Sequence, residues 1–429
     1  MRLYLTIILA GICMILHAER GNSMAIINEM ITDTSKASII NEYNHIITNR
    51  YLSSQILKCS FESVRSSLKE NEIAIEIFVQ PQTNGNPEYM ALTVRKNYDA
   101  PHLIKLFTEK ELNQELQKGE TIFTDTTFSA LLLAPLYNEL KDILSIYITP
   151  AGKLHLLPLE YCNIKDGIML CEKYSLFRLT SSAMLISRKE KRDLYKSYTI
   201  YGGIDFDLLP KSEEKYDKEK ARSPYGFLQD SYQAAINVHN TLTNKGLHGQ
   251  LYANEMATET SFKALQSQDI QLLFIETHSI AFHQQEKQEF PNALLFAGAS
   301  YIIEGGIVPE GEEDGLLTLQ EIATLDLSSV DLAVISACSS ATGKIDEQGV
   351  NGLLKAFKTA GVNSLVMTTN DVLDYVAGEV WKIFFRNIAN GMTKRMSLLN
   401  AIKEVKALHD GFYNSPIHWS SYILIDGID

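Results

Sequence analysis

The chain has 429 residues, of which 45% are hydrophobic and 21% charged, a composition typical of a globular protein long enough for two or three domains. Its net charge of −13 argues against a nucleic-acid-binding surface. Five cysteines without a C-x-x-C pair indicate neither a zinc site nor a disulfide framework, so no metal or cofactor is expected.

Residues 1–18 have the form of a secretory signal peptide. Arg2 gives a positive start, 3–16 is almost entirely apolar, and Ala18 precedes a polar run. We therefore expect export to the periplasm or cell envelope. We expect no membrane span after removal of the signal, because no second apolar run has spanning length. The alternative is that Met24 is the true first residue and the protein is cytoplasmic.

The next part of the chain predicts a short helical segment followed by an α/β half. Apolar residues recur at helical spacing through 24–70, and then 73–79 and 89–94 alternate like two paired strands. Further predicted elements are helices at 103–116 and 128–140, with strands at 143–149, 154–159 and 174–179. Together they form an α/β subdomain, 72–195, that has no catalytic constellation.

From residue 196 onward, strands and helices alternate. Strands are predicted at 198–203, 247–252, 270–276, 331–336 and 364–367, and helices at 229–242, 261–265, 352–360, 374–388 and 396–409. This order predicts an α/β fold with a mainly parallel sheet and helices on both faces, in a catalytic subdomain spanning 196–429. Chemistry in such folds lies at the carboxyl ends of the strands.

Two of these strands end in reactive side chains, His278 and, sixty residues later, Cys338. If the strands are neighbours, both side chains project from the same edge of the sheet. A thiol beside an imidazole is the minimum for acyl transfer, because the thiolate attacks and the imidazolium protonates the leaving amine. The backbone N–H groups of Ser279 and Cys338 are the natural oxyanion donors. Either residue alone is more often structural, but their pairing at equivalent strand ends favours catalysis.

Motifs through most of the chain resemble those of one family. They lie at 146–159 (with an I-x-P-x-G-x-L-x-x-L-P pattern), Thr277-His278-Ser279, 292–298, 314–322, 335–343 (around Cys338), 349–361 and 416–425. Their order over 72–429 is similar to that of the CHAT domain, a family of caspase-fold cysteine proteases related to separases and caspases. The resemblance implies a caspase-like fold and a bacterial endopeptidase that cleaves a protein or peptide substrate with Cys338 and His278. It also implies that a protein partner activates the enzyme, as in some relatives.

Two departures from the family pattern affect specificity. Ser279 replaces the usual glycine after the histidine, which a serine tolerates unless the position requires a positive φ. Asn370 stands where the family has a tryptophan in a loop that helps to form the specificity pocket, so the family's substrates do not transfer to this chain.

Acidic residues near the predicted edge are candidates for substrate binding. Asp371 would pair with Arg or Lys immediately before the scissile bond, and Asp205 would line the cleft. The alternative for both is a solvated loop acid, and Asp374 suits an N-cap of the helix that follows it. The acidic segment 309–315 is interpreted as a surface loop, with calcium or basic-substrate binding as its alternative.

Two other functions compete with proteolysis. One is a catalytically silent protein that binds peptides or scaffolds a complex through its helical segment. The other is nucleotide binding at Gly202-Gly203, which neither a G-x-G-x-x-G nor a Walker pattern supports.

Overall fold

The computed structural model describes residues 23–50, 59–83, 85–188, 194–209, 225–280, 292–308, 310–337, 340, 344–346 and 349–428. The predicted leader, 1–18, lies outside these ranges, and export stays a prediction. Within them, no helix combines the length and the apolar composition that a bilayer-spanning segment requires.

The first half of the chain contains the elements up to residue 178. Its helices are α1 (Ser23–Arg50), α2 (Phe61–Ser67), α3 (Glu109–Leu116), α4 (Thr127–Leu133) and α5 (Leu170–Lys173). Its strands are β1 (Glu72–Gln80), β2 (Glu88–Arg95), β3 (His102–Thr108), β4 (Ser145–Thr149), β5 (Asn163–Lys165), β6 (Ile168–Met169) and β7 (Ser175–Arg178).

In the second half, helices separate the longer strands, as the sequence predicts. Its helices are α6 (Gln229–Asn244), α7 (Glu259–Lys263), α8 (Ala299–Ile303), α9 (Leu319–Thr324), α10 (Leu353–Thr359), α11 (Asp374–Ala389) and α12 (Lys394–Ala407). Its strands are β8 (Ser197–Ile204), β9 (His248–Asn254), β10 (Leu272–Glu276), β11 (Ser279–Ile280), β12 (Ala293–Leu295), β13 (Leu316–Thr318), β14 (Leu332–Ser336), β15 (Lys344–Asp346), β16 (Gly349–Asn351), β17 (Ser364–Thr368) and β18 (Tyr422–Ile425).

Both halves contribute to one eleven-stranded sheet, in the order β3-β2-β1-β4-β7-β18-β17-β14-β10-β8-β9. Neighbouring strands from β17 to β9 are parallel, as are β1, β4 and β7. Strand β18 joins the halves, since it is parallel to β7 and antiparallel to β17. The predicted α/β fold with a mainly parallel sheet is therefore confirmed. Strands β8, β9, β10, β14 and β17 end at the edge opposite the ends of β1, β4, β7 and β18.

The central strands are buried on both faces. Every residue of β10 is buried. Phe274 packs against Trp381 of α11, with ring centroids 6.0 Å apart, whereas the next residue, Ile275, belongs to a second core with Phe262 and Phe357. Successive side chains of a strand point to opposite faces. A continuous apolar run therefore supplies both cores, and helices cover both faces of the sheet.

The helix predicted for 103–116 starts later than expected. Its first part is strand β3, which pairs antiparallel with β2 and stacks Phe107 on Tyr89, with ring centroids 5.1 Å apart. Helix α3 begins only after Thr108, whose side chain forms a capping box with Glu111. The apolar residues fit both periods, and the strand pairing determines the outcome.

Two shorter segments also differ from the prediction. The strand predicted for 154–159 is replaced by two 3₁₀ turns, and the helix predicted for 128–140 stops with α4. The turns are Gly152–Leu156 and Leu159–Tyr161. Each segment contains a proline, which has no N–H for a strand ladder or a helix interior. Pro158 lies between the turns, and Pro135 follows the end of α4.

The helical segment predicted for 24–70 forms α1 and α2, with 51–58 outside the described residues. It packs on the first half of the sheet. Tyr43 is buried against Phe61, and its hydroxyl lies 2.6 Å from Ser182 Oγ. This contact fixes the helical segment to the chain that follows β7.

A buried ion pair lies just after β18. Asp426 Oδ2 is 2.8 Å from Lys358 Nζ, and the two side chains are 0% and 3% exposed. Asp426 also accepts hydrogen bonds from the N–H and hydroxyl of Thr180, both at 2.8 Å, and Lys358 donates to the carbonyl of Asn363. The pair connects α10 and β18 to the segment after β7, and so joins the two halves.

We expect Asp426→Ala to lower the free energy of unfolding by about 3–5 kcal/mol, because it leaves the Lys358 ammonium buried without a counter-charge. Asp166→Ala is the matched control. Both aspartates have a positive φ (54° and 50°), but Asp166 is exposed, and its ion pair among the described residues is with the exposed Lys165. Urea unfolding measures both variants, and equal losses of stability would contradict this prediction.

Candidate active site

The strands predicted to carry the two reactive residues, β10 and β14, are adjacent and parallel. Their register pairs Glu276 with Ser336, which stand two positions before His278 and Cys338 in the sequence. Residues paired across β10 and β14 are therefore sixty positions apart in the sequence, and His278 and Cys338 have the same spacing. Strand β14 and the following Ala337 are described, whereas Cys338 itself lies outside the described residues.

Three groups hold the imidazole of His278. Its Nε2 lies 3.0 Å from the backbone carbonyl of Gly226. A carbonyl oxygen only accepts, so Nε2 carries the proton and Nδ1 is the basic nitrogen of the neutral ring. The rings of Phe206 and Tyr225 pack on the imidazole, with centroids 5.0 and 5.4 Å away. The carbonyl of His278 accepts a hydrogen bond from Leu295 N at 3.0 Å, which fixes its backbone as well.

The backbone of Ser279 is compatible with the predicted oxyanion role. Ser279 stands opposite Leu294 in the β11–β12 pair, and the bond from Leu295 N to the His278 carbonyl makes this a non-hydrogen-bonded pair. The N–H of Ser279 therefore points away from β12. Ser279 is not among the residues with a positive φ, so the replacement of glycine causes no strain there. Its oxyanion role stays a prediction.

Buried hydroxyl groups fix the chain on both sides of Cys338. Ser340 Oγ donates to the carbonyl of Ile335 and accepts from Thr368 N, both at 3.0 Å. Thr368 Oγ1 in turn donates to the carbonyl of Ala337 at 3.0 Å. The end of β17 therefore holds the residues that flank the cysteine. The position of Ser340 shortly after a buried strand is the signal for this role that the sequence offers.

Asp371 and Asp205, predicted to bind substrate, both follow strands that end at this edge. Asp371 is exposed and lies three residues after β17. Asp205 directly follows β8, and its carbonyl accepts from Gly298 N at 3.1 Å, next to the Phe206 that contacts His278. Substrate binding by either carboxylate stays a prediction.

The N-cap interpretation of Asp374 is wrong. Leu373 occupies the N-cap position of α11, and no side chain caps that helix. Burial, and then the negative charge of Asp230 in the first turn of α6, raise the pKa of Asp374. Asp230 and Asp374 lie on different helices, so sequence spacing did not indicate this interaction.

A buried acid, Glu276, lies at the end of β10. Ser336 Oγ donates to Glu276 Oε1 at 3.2 Å, and Trp381 Nε1 donates to Ser336 Oγ at 2.9 Å. Burial, and then the negative charges of Asp374 and Asp230, raise the pKa of Glu276 to about 8. The side chain is therefore protonated at neutral pH. Sequence reasoning placed Glu276 in a buried strand without assigning it a role.

A lysine occupies the one group of described carboxylates close enough to share a cation. Glu259, Glu313 and Glu321 surround Lys263, whose Nζ lies 2.7, 2.7 and 2.8 Å from them. Burial raises the pKa of Glu259 to about 7. Glu313 belongs to the acidic segment 309–315. Among the described residues, its carboxylate pairs with the ammonium group of Lys263.

Similar folds occur among solved cysteine proteases. The separase–securin complex of Saccharomyces cerevisiae has a TM-score of 0.50 and 11% identity, over 85% of this chain and 30% of that chain. The Arg-specific cysteine proteinase gingipain R has a TM-score of 0.41 and 10% identity, over 68% of this chain and 64% of that one. The complex of the pro- and mature domains of Porphyromonas gingivalis RgpB has a TM-score of 0.45 and 9% identity, over 75% and 77%.

The chain spans less than two thirds of the length of the gingipain R and separase chains that it matches. At these sequence identities, the similarity concerns the fold alone. That fold is caspase-like. A family model described as the CHAT domain matches residues 126–426, more than half of the chain. The protein therefore belongs to the CHAT domain family, as its motifs predict. No match was found among curated proteins.

The raised pKa of Glu276 predicts a pH dependence of stability. An unfolded glutamate ionises near pH 4.3, so between about pH 4.5 and 8 the folded state binds a proton that the unfolded state lacks. Stability then falls as pH rises. We expect the free energy of unfolding to decrease by up to about 1.4 kcal/mol per pH unit relative to Glu276→Gln. Urea unfolding at several pH values tests this, and parallel curves for the two proteins would contradict it.

Proposed function

We propose that the protein is a cysteine endopeptidase that cleaves a protein or peptide substrate with Cys338 and His278. The CHAT domain match and the caspase-like fold support a protease. The observation that carries the assignment of the dyad is the register of β10 with β14, which brings the strand ends before His278 and Cys338 to the same level of one sheet edge.

In the proposed mechanism, Nδ1 of His278 takes the proton of the Cys338 thiol. The thiolate attacks the scissile carbonyl carbon, and the negative charge on the carbonyl oxygen is stabilised by the N–H groups of Ser279 and Cys338. Nδ1 then protonates the leaving amine as the C–N bond breaks, and water hydrolyses the thioester. The hydrogen bond from Nε2 to the Gly226 carbonyl supports this assignment, because it fixes the tautomer and orients the ring.

We also propose that a protein partner controls the activity. The separase neighbour was solved as a complex with securin, and this complex supports the proposal that a partner binds the present chain. Cleavage is measured with the purified chain alone and again after the chain is added to a lysate of the source cells. The difference between the two rates separates intrinsic activity from partner-dependent activity.

We expect Cys338→Ala and His278→Ala each to reduce cleavage by about 1,000-fold or more, because each removes one half of the dyad. New protein N-termini in a lysate treated with wild type or variant measure this. Cys59→Ala and His248→Ala are matched controls: Cys59 has a pKa raised by burial, and His248 is an exposed residue at the start of β9. Undiminished cleavage by Cys338→Ala would contradict the proposal, and no cleavage by wild type under either condition would favour the silent scaffold.

We further expect substrates with Arg or Lys before the scissile bond to be preferred, because a carboxylate pairs with these side chains and both Asp371 and Asp205 follow strands that end at this edge. Asp371→Asn or Asp205→Asn should lower kcat/KM for basic peptides by about 10- to 100-fold and leave apolar peptides unchanged. Asp207→Asn, at an exposed position beside Asp205, is the matched control. A peptide panel measures these rates, and equal cleavage of acidic, apolar and basic peptides by wild type would contradict the preference.

A further inference from the structure

The eleven-stranded sheet has two edge strands, β3 and β9, which differ in how they are protected. Charged side chains and bulges on an edge strand discourage pairing with another chain. Strand β3 has an exposed charge at its middle, Lys105, which is ion-paired with Glu88. Its register with β2 also shifts, between Tyr89 and Met90. Strand β9, by contrast, contains no Lys, Arg, Asp, Glu or Pro, and its first three residues are exposed.

The hydrogen bonds between β8 and β9 determine which backbone groups of β9 point outward. The register is regular as far as the pair of Tyr201 and Tyr252, and His248 N donates to the carbonyl of Lys196 at 2.8 Å. In a parallel ladder, every second residue of a strand bonds to the same neighbour. His248 bonds to β8, so the N–H and C=O groups of Leu251 point to the other side. No further strand lies on that side among the described residues.

Both faces of β9 are packed against the rest of the molecule. Tyr252 stacks on Tyr201, with ring centroids 4.9 Å apart. Leu251, on the opposite face, packs against the core that contains Ala235 and Val238 of α6. A strand that is already ordered loses little conformational entropy when a second strand pairs with it. The edge is therefore preorganised for strand addition.

The two ends of β9 have opposite charges. Exposed lysines lie at its start, because Lys196 bonds to His248 through its carbonyl and Lys245 stands three residues before the strand. The exposed Glu255 directly follows its last residue. In an antiparallel pair of β9 strands, the basic start of each copy lies at the acidic end of the other. A parallel pair would bring like charges together, which opposes association.

A two-fold axis at Leu251 gives this antiparallel pair a compatible register. It places Leu251 opposite its own copy, Gln250 opposite Tyr252, and Gly249 opposite Ala253. The two copies of Leu251 exchange N–H···O bonds, as in a hydrogen-bonded pair of an antiparallel ladder. No two charged side chains face each other within the strands. The whole chain has a net charge of −13, which disfavours self-association unless local charges are complementary, as they are here.

We infer that β9 is a self-association surface, on which a second copy of the chain pairs its own β9 antiparallel and joins the two sheets into one. Such an interface is isologous, because each copy contributes the same residues. The strands of the two copies run in opposite directions, so the two candidate active sites lie at opposite edges of the joined sheet. Self-association does not require the proposed dyad, because neither His278 nor Cys338 lies on β9.

Three variants test this surface. Lys245→Glu reverses the charge at the start of β9, and the double variant Lys245→Glu/Glu255→Lys restores opposite charges at the two ends. Leu251→Pro removes the outward N–H without removing a bond to β8, a change that an edge strand accommodates. Lys141→Glu is the matched control, because Lys141 is also exposed and lies before β4, in the other half of the sheet. Thermal unfolding establishes that each variant is folded.

Sedimentation equilibrium of the full chain at low ionic strength measures the dissociation constant of the dimer. We expect Lys245→Glu to raise this constant about 10- to 100-fold, because it replaces attraction by repulsion at both ends of the interface. The double variant should return it to within about 3-fold of the wild-type value, and Lys141→Glu should leave it unchanged. Leu251→Pro should abolish the dimer. Hydrogen exchange is the second readout, and the N–H of Leu251 should become protected as the protein concentration rises.

Two results would overturn the self-association surface. One is a wild-type chain that stays monomeric up to about 100 μM, a concentration at which even a weak specific dimer is populated. Slow exchange at Leu251 in that monomer would show that another segment of the same chain covers the edge. The other is a dimer with the same dissociation constant in wild type, Lys245→Glu and Leu251→Pro, which must use a different surface. If Leu251→Pro does not fold, Lys245→Glu and the double variant decide.

Discussion

The alignment of β10 with β14 is the constraint on which the candidate site depends. Glu276 pairs with Ser336, so the two strands end at the same level. Both strands are buried on two faces, and a slip of one residue would turn every side chain toward the wrong core. The apolar packing of the sheet therefore sets the relative height of His278 and of the segment that contains Cys338, and the chemistry depends on a register that hydrophobic burial enforces.

The imidazole itself is held from outside these two strands. Phe206 follows β8, and Tyr225 and Gly226 precede α6, so two further elements converge on a ring delivered by β10. Two residues before His278, at the end of β10, the protonated Glu276 places a neutral polar group in the sheet, where a charge would be costly. Packing of the sheet fixes the end of β10. The orientation of the His278 ring depends instead on the residues after β8 and before α6.

The sequence predicted the sheet and the two strands that precede His278 and Cys338, because buried parallel strands have continuous apolar runs. It failed at β3, where Leu103, Leu106 and Phe107 fit a helical period as well as a strand. The anchor of His278 had no sequence signal, since a backbone carbonyl is the same at every residue and only the fold selects that of Gly226. The effect of the Asp230 charge on Asp374 had no sequence signal either, because the two residues lie far apart in the chain.

The position of β18 has a consequence for how the protein is made. This strand fills the gap between β7 and β17, and Ile425 pairs with Arg178, so the gap stays open until the residues of β18 have been synthesised. Until then a nascent chain presents two unpaired strand edges, which are templates for association with other chains. Closure across so long a separation is intrinsically slow. Strands β8, β10, β14 and β17 are neighbours without β18, so the site's own strands are able to assemble before the two halves join.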